Sequence, residues 1–138
     1  MPSQSYLGNA HLRVARPTDH LSELIHFYCD GLGLEKLAEF QNHAGFDGLM
    51  LGHASRGQHY HLEFTTQPGH PVGRAPTHEN LLVFYLPDIA EWTQAVERMM
   101  AHGYVPVSSV NPYSEVRGKT FEDPDGYRVV LQQAAWGA

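Results

Sequence analysis

The stretch HYHLEF, residues 59 to 64, sets His59, His61 and Glu63 on alternate positions. On a β-strand that spacing puts all three side chains on one face, about 6.6 Å between successive members. Two imidazoles and a carboxylate so arranged can hold a divalent metal ion. They can equally form the polar wall of a ligand pocket, and the spacing leaves both readings open. His11 and Arg13, two apart in AHLRVA, offer a second pair of the same kind.

These residues need strands to align them. AHLRVA alternates Leu12 and Val14 with His11 and Arg13, as a two-faced strand does. In the segment after it, Leu21, Leu24, Ile25 and Tyr28 recur at helical spacing, with Thr18 or Asp19 as N-cap and Gly31 or Gly33 as terminator. EKLAEF, FDGLMLG and HYHLEFT then read as three strands separated by turns. The order is βαβββ.

QPGHPVGRAPTHEN, rich in Pro and Gly, reads as a connection, and after it the order repeats. LLVFYL is a strand. PDIAEWTQAVERMMAHG is a helix with Ile89, Trp92, Val96 and Met99 on one stripe, Asp88 and Glu91 as a capping box and Gly103 at its end. YVPVSSV, KTFED and YRVVLQQ supply three more strands. The expected boundaries are module one at 8–66, a linker at 67–79 and module two at 80–134, within a single domain spanning 1–138. The fold class is α+β: two tandem βαβββ modules forming a cupped, incomplete β-barrel with helices outside. Leu12, Val14, Leu62, Phe64, Phe84, Leu86, Val129 and Leu131 are expected to pack on the helices. The opposite sides, Asn9, His11, Arg13, His61, Glu63, Leu81, Val83, Tyr85, Arg128, Val130 and Gln132, are expected to line a shared cavity, mixed in polarity as suits a small ligand.

Composition narrows the partners. The 138 residues carry nine Lys and Arg against fifteen Asp and Glu, a net charge of −6 without a basic cluster, so nucleic acid is an unsuited partner. Hydrophobic residues make up 42% and charged residues 17%, which predicts a folded globular chain. No apolar run reaches the roughly 20 residues of a membrane span, and the opening residues lack signal-peptide character, so a cytoplasmic protein without membrane contact is expected. The lone Cys29 lies near the end of the first helix and reads as a partly buried thiol. Of the ten histidines, most fall on helix surfaces or in turns, where solvated side chains are expected.

LRVARPTDHLSELIHFYCDGLGL resembles the opening strand, helix and "FY...LG" ending of the vicinal oxygen chelate superfamily, and TFEDPDGYRVVL resembles its "DPDG" turn and last strand. That superfamily groups glyoxalases, bleomycin-resistance proteins and extradiol dioxygenases. YHLEF, NPY and EDPDG are similar to a small bacterial subgroup of it. The resemblance implies four metal-ligand positions, one on the first and one on the last strand of each module. They fall on Asn9, Glu63, Leu81 and Val130, and only Glu63 matches the expected ligand type. It therefore implies a protein that binds a small organic molecule, with Glu63 as the catalytic position if it is an enzyme and with the usual metal centre degenerate. No cofactor is expected with certainty. The alternative is a lyase or dioxygenase using Ni, Zn, Mn or Fe on a rearranged set, His11, His61 and Glu63. The expected ligand-binding residues are His11, Arg13, His61, Glu63, Tyr85, Tyr113, Arg128 and Gln132; Arg13 or Arg128 is expected to pair with Glu63, and Tyr113, in NPYSEV, to cover the cavity. A homodimer is expected.

Overall fold

The computed structural model describes residues 4–54 and 60–137. Module one has strands β1 (Leu12–Pro17), β2 (Glu35–His43), β3 (Phe46–Gly52) and β4 (Tyr60–Thr66), in the sheet order β1-β4-β3-β2. Its helix α1 (Leu21–Ile25) continues into one wide π-helical turn, His26–Gly31, in which Leu32 N–H donates to the Phe27 carbonyl five residues back. The extra residue in that turn helps two successive aromatics, Phe27 and Tyr28, reach the core together. The expected side-chain cap at Thr18 or Asp19 falls one residue away: His20 is the N-cap and makes no capping bond, while Thr18 Oγ1 accepts from the His20 N–H. Gly33, at φ +82°, ends the helical segment in a conformation that favours glycine.

Module two has β5 (Leu81–Tyr85), α2 (Ile89–Ala101), β6 (Gly118–Glu122) and β7 (Arg128–Gln132), in the sheet order β5-β7-β6. Asp88 caps α2 as expected, accepting from the Ala90 and Glu91 N–H groups. The strand expected at YVPVSSV does not form; Val107 alone bridges to Thr120. Pro106 has no N–H to give a ladder, and Ser109 and Thr120 meet instead through their hydroxyls at 2.6 Å.

In both modules the helices pack on the side of the sheet opposite its cup. Side-chain alternation places Leu62, Phe64, Val129 and Leu131 toward Leu24, Phe27, Tyr28, Val96 and Met99, all in one buried cluster. Trp92, half-buried at the margin, donates its indole N–H to the Leu131 carbonyl. Two expectations fail at the edges. Leu12 and Val14 share the core-facing parity yet are 59% and 43% exposed on the edge strand of their sheet. Ile89, on the expected stripe of α2, is likewise exposed.

Candidate functional site

Parallel pairing of β1 with β4 sets Arg13 beside His61 and Ala15 beside Glu63. Their parity is opposite to that of Leu62 and Phe64, so His61, Glu63 and Arg13 stand on the cup face of module one. Arg13 Nε donates to His61 Nε2 at 3.1 Å, and His61 Nδ1 lies 2.6 Å from His11 Nε2. An arginine can only donate, so His61 Nε2 must keep its lone pair. His61 is then the neutral Nδ1–H tautomer, donating to His11. Consistent with this, partial burial, then His11 and Arg13, hold the His61 imidazole below its usual range, against a smaller pull from Glu63. Arg13 Nη1 is 3.9 Å from Glu63 Oε2, so the expected pairing of Glu63 with Arg13 is present as a loose contact. Asn9 sits in a single 3-10 turn before β1, exposed, and His59 lies outside the described residues.

The cup of module two carries Leu81, Val83 and Tyr85 on β5 beside Arg128, Val130 and Gln132 on β7. Arg128 is 7% exposed. Its partner is Glu122 rather than Glu63: Nε donates to Glu122 Oε1 at 3.2 Å and Nη1 to the Ser108 carbonyl at 2.9 Å. Gln132 donates through Nε2 to the Val116 carbonyl, and its Oε1 is the buried side-chain polar atom without a partner among the described residues. Tyr85 lies near Trp136, with ring centroids 5.9 Å apart. The one-turn helix Pro112–Glu115 covers this cup, but through buried Ser114 rather than through the exposed Tyr113. Beneath it, His78, Leu81, Ser109, Asn111, Thr120 and Arg128 line a cleft whose free volume is only about 10 Å³, room for about one water.

The two sheets share a core through their helix-side faces. The clefts lined by Leu81 or Val130 do not include Glu63. At the seam between β1 and β5 the clefts are lined instead largely by core-side residues, among them Val14, Leu62, Leu82 and Phe84. Ser109, Ser114, Thr120 and Glu122 were not among the expected site residues. The parity of Thr120 and Glu122 in KTFED could have flagged those two; the folding-over of residues 108–116 had no periodic signal.

A divalent metal does not fit the side chains as placed. Leu81 and Val130 offer no lone pair. Both ring nitrogens of His61 are engaged, one by His11 and the other by Arg13. Among the described residues no three His, Cys, Asp or Glu side chains are close enough to hold an ion.

Two cupped sheets backed by helices, in this strand order, define the fold of the glyoxalase/fosfomycin resistance (vicinal oxygen chelate) proteins. The trypanothione-dependent glyoxalase I of Leishmania major superposes with a TM-score of 0.66 at 20% identity, covering 90% of this chain and 86% of that one. The fosfomycin resistance protein FosX of Mesorhizobium loti gives 0.66 at 11% identity, with 90% of each chain covered. Within that class the chain belongs to the YycE-like family: residues 12–65 match the YycE-like N-terminal domain and residues 79–133 the YycE-like C-terminal domain. It is 43% identical over 127 residues to the uncharacterized protein YycE of Bacillus subtilis (strain 168), spanning 91% of this chain and 88% of that protein. The crystal structure of the Bacillus subtilis YycE protein, of unknown function, superposes with a TM-score of 0.82 at 40% identity, covering 94% of both chains.

Proposed function

We propose that this protein binds a small organic molecule in a pocket made from its two cups, that a homodimer in the cytoplasm completes the pocket, and that no divalent metal sits at its centre. The observation that supports the reading is the division of the polar residues: Arg13, His61 and Glu63 stand on one sheet, Arg128 and Gln132 on the other, and the cleft lined by Arg128 does not include Glu63. A second copy can supply a facing wall. The β1 and β5 strands, which a second copy would cover, present Leu12, Val14 and Val83 at 59%, 43% and 37% exposure. Apolar side chains on two neighbouring strand edges favour such an association.

In the assembled pocket Arg13 and Arg128 supply positive charge, His61 a neutral imidazole and Glu63 an acceptor, with Leu81, Val83 and Val130 as the apolar floor. This suits a compact ligand with polar groups at one end. A thermal-shift screen of small molecules on the purified protein, followed by calorimetry of each hit on Glu63→Gln, tests it. The variant is expected to stay folded, within about 2 kcal/mol of wild type, and to lose the ligand. Unchanged affinity would remove Glu63 from the site. One equivalent of Ni, Zn, Mn or Fe retained after dialysis and lost in His61→Ala would replace this reading by a metal-dependent lyase or dioxygenase.

A further inference from the structure

The feature of the module-one cup that the fold does not require is the position of Arg13. Its neighbours His61 and Glu63 are both lone-pair donors, and both address the same guanidinium, at 3.1 Å to Nε and 3.9 Å to Nη1. A divalent ion on the same two side chains would need contacts of about 2.0–2.2 Å from each donor. The guanidinium instead contacts both donors and brings its own positive charge to them. It also dictates which His61 nitrogen carries the proton, since a ring nitrogen accepting from arginine cannot be the protonated one. His11, on the far ring nitrogen of His61, fixes the ring's orientation and tautomer as the outer partner of a metal-bound imidazole does, while His61 and Glu63 are donor types that bind borderline divalent ions.

We infer that the Arg13 guanidinium is the resident cation of this cup, standing between His61 and Glu63 where a metal ion would have to stand, and that removing it leaves His61 Nε2 and Glu63 free to hold a divalent ion, with His11 fixing the far nitrogen of the His61 ring. The inference rests on the reading that the cup works without a metal, and adds why: the place is already taken by a side chain. Arg13 is itself half-exposed, so its truncation leaves no buried charge behind. Glu63, freed of its counter-charge, becomes a better ligand, and His61 Nε2 is released with its lone pair directed into the cup.

The test titrates Zn²⁺ and Ni²⁺ into the dialysed full-length chain by calorimetry. Arg13→Ala is expected to take one equivalent at least about tenfold more tightly than wild type, the scale on which neighbouring groups alter metal affinity. Arg13→Ala/His61→Ala and Arg13→Ala/Glu63→Gln are expected to lose that gain. No gain in Arg13→Ala overturns the inference, and so does a gain that survives both second substitutions. Wild type binding one equivalent through His61 as tightly as Arg13→Ala does also overturns it. Nitrogen NMR of the imidazoles gives an arm independent of any variant: His61 Nε2 is expected to be unprotonated and hydrogen-bonded at neutral pH, and a protonated Nε2 would remove the premise. The ligand screen on wild type is a separate readout, so the binding reading and the role of Arg13 can fail independently.

Discussion

Arg16 on β1 and Asp123 at the end of β6 are joined, Nη2 to Oδ2, at 2.6 Å, and this contact ties module one to module two. Arg16 Nη1 reaches Asp125 Oδ2 at 2.7 Å, and the guanidinium lies between the Phe64 and Tyr127 rings, 4.7 and 4.0 Å from their centroids. Tyr28 donates to Asp123, while Thr18 donates to Asp125 and the His20 ring contacts it. Burial pushes both aspartates upward; for Asp125 the bonds from Arg16, Thr18 and His20 outweigh burial and hold it below the usual range, whereas Asp123 stays above it despite Tyr28 and Arg16. Asp125 is therefore the firmly ionised partner of the buried arginine.

Replacing Arg16 with Met leaves two carboxylates at 3% and 1% exposure without their cation. Removal of one side of a buried pair costs about 3–5 kcal/mol, so urea unfolding of Arg16→Met is expected to show a loss of that order. A loss within experimental error of zero would mean that solvent reaches the seam.

His20 gives the seam a pH dependence. Its imidazole is raised above 6.5, chiefly by the hydrogen bond to Asp125, which together with the charges of Asp125, Glu23 and Asp19 outweighs the opposing desolvation. The folded state thus favours the protonated ring. Its stabilisation is complete below about 6.5 and is lost as pH rises through the higher folded value. Melting temperatures of wild type and His20→Gln across that interval should converge as pH increases; parallel curves would show that His20 does not couple to the fold.

Gly118 is held by contact rather than by backbone conformation. A Cβ there would lie 2.1 Å from the Ser114 carbonyl oxygen and 2.7 Å from Gln132 Oε1. Gly118→Ala must push the Pro112–Glu115 turn off the module-two cup, and overpacking of this kind costs about 1–3 kcal/mol. Thermal unfolding should register the loss, and any ligand recovered by screening should bind this variant with changed affinity. A fully stable variant would show that the turn moves freely.

Val14→Asp places a charge on the exposed β1 edge. Analytical ultracentrifugation is expected to find a dimer for wild type and a monomer with unchanged circular dichroism for the variant. A wild-type monomer at about 50 μM, well above the range in which stable dimers dissociate, would remove the partner cup from the proposed pocket.

Much of the local architecture could be read from short-range pattern. Alternation in LRVA and YHLEF, helical spacing from Leu21 to Tyr28, the Asp88 cap and the turn of EDPDG each depend on residues within a few positions of one another. Such segments choose their conformation through backbone geometry and the side on which apolar groups fall. Alternation also put Arg13, His61 and Glu63 on one face before any tertiary contact was known. The failures at Leu12, Val14 and YVPVSSV are of another kind. Burial of an edge strand depends on what packs against it, and a ladder depends on a partner's N–H groups as well as on its own.

What the tertiary structure alone decided is the choice of partners. Arg16 had the parity of a core residue and an acid nearby in Asp19, yet its partners are Asp123 and Asp125, which reach it across 107 and 109 residues of chain. Arg128 chose Glu122, six residues away across the β6–β7 turn, over Glu63. Most consequential, the sequence determined two polar sheet faces but not how the two sheets meet around a shared core. Alternation specifies the two faces of each sheet. Which face of each sheet joins the shared core is settled with the helices: Phe27, Tyr28 and Met99 bury apolar surface together with Leu62, Phe64, Val129 and Leu131, a hydrophobic gain the polar faces could not supply.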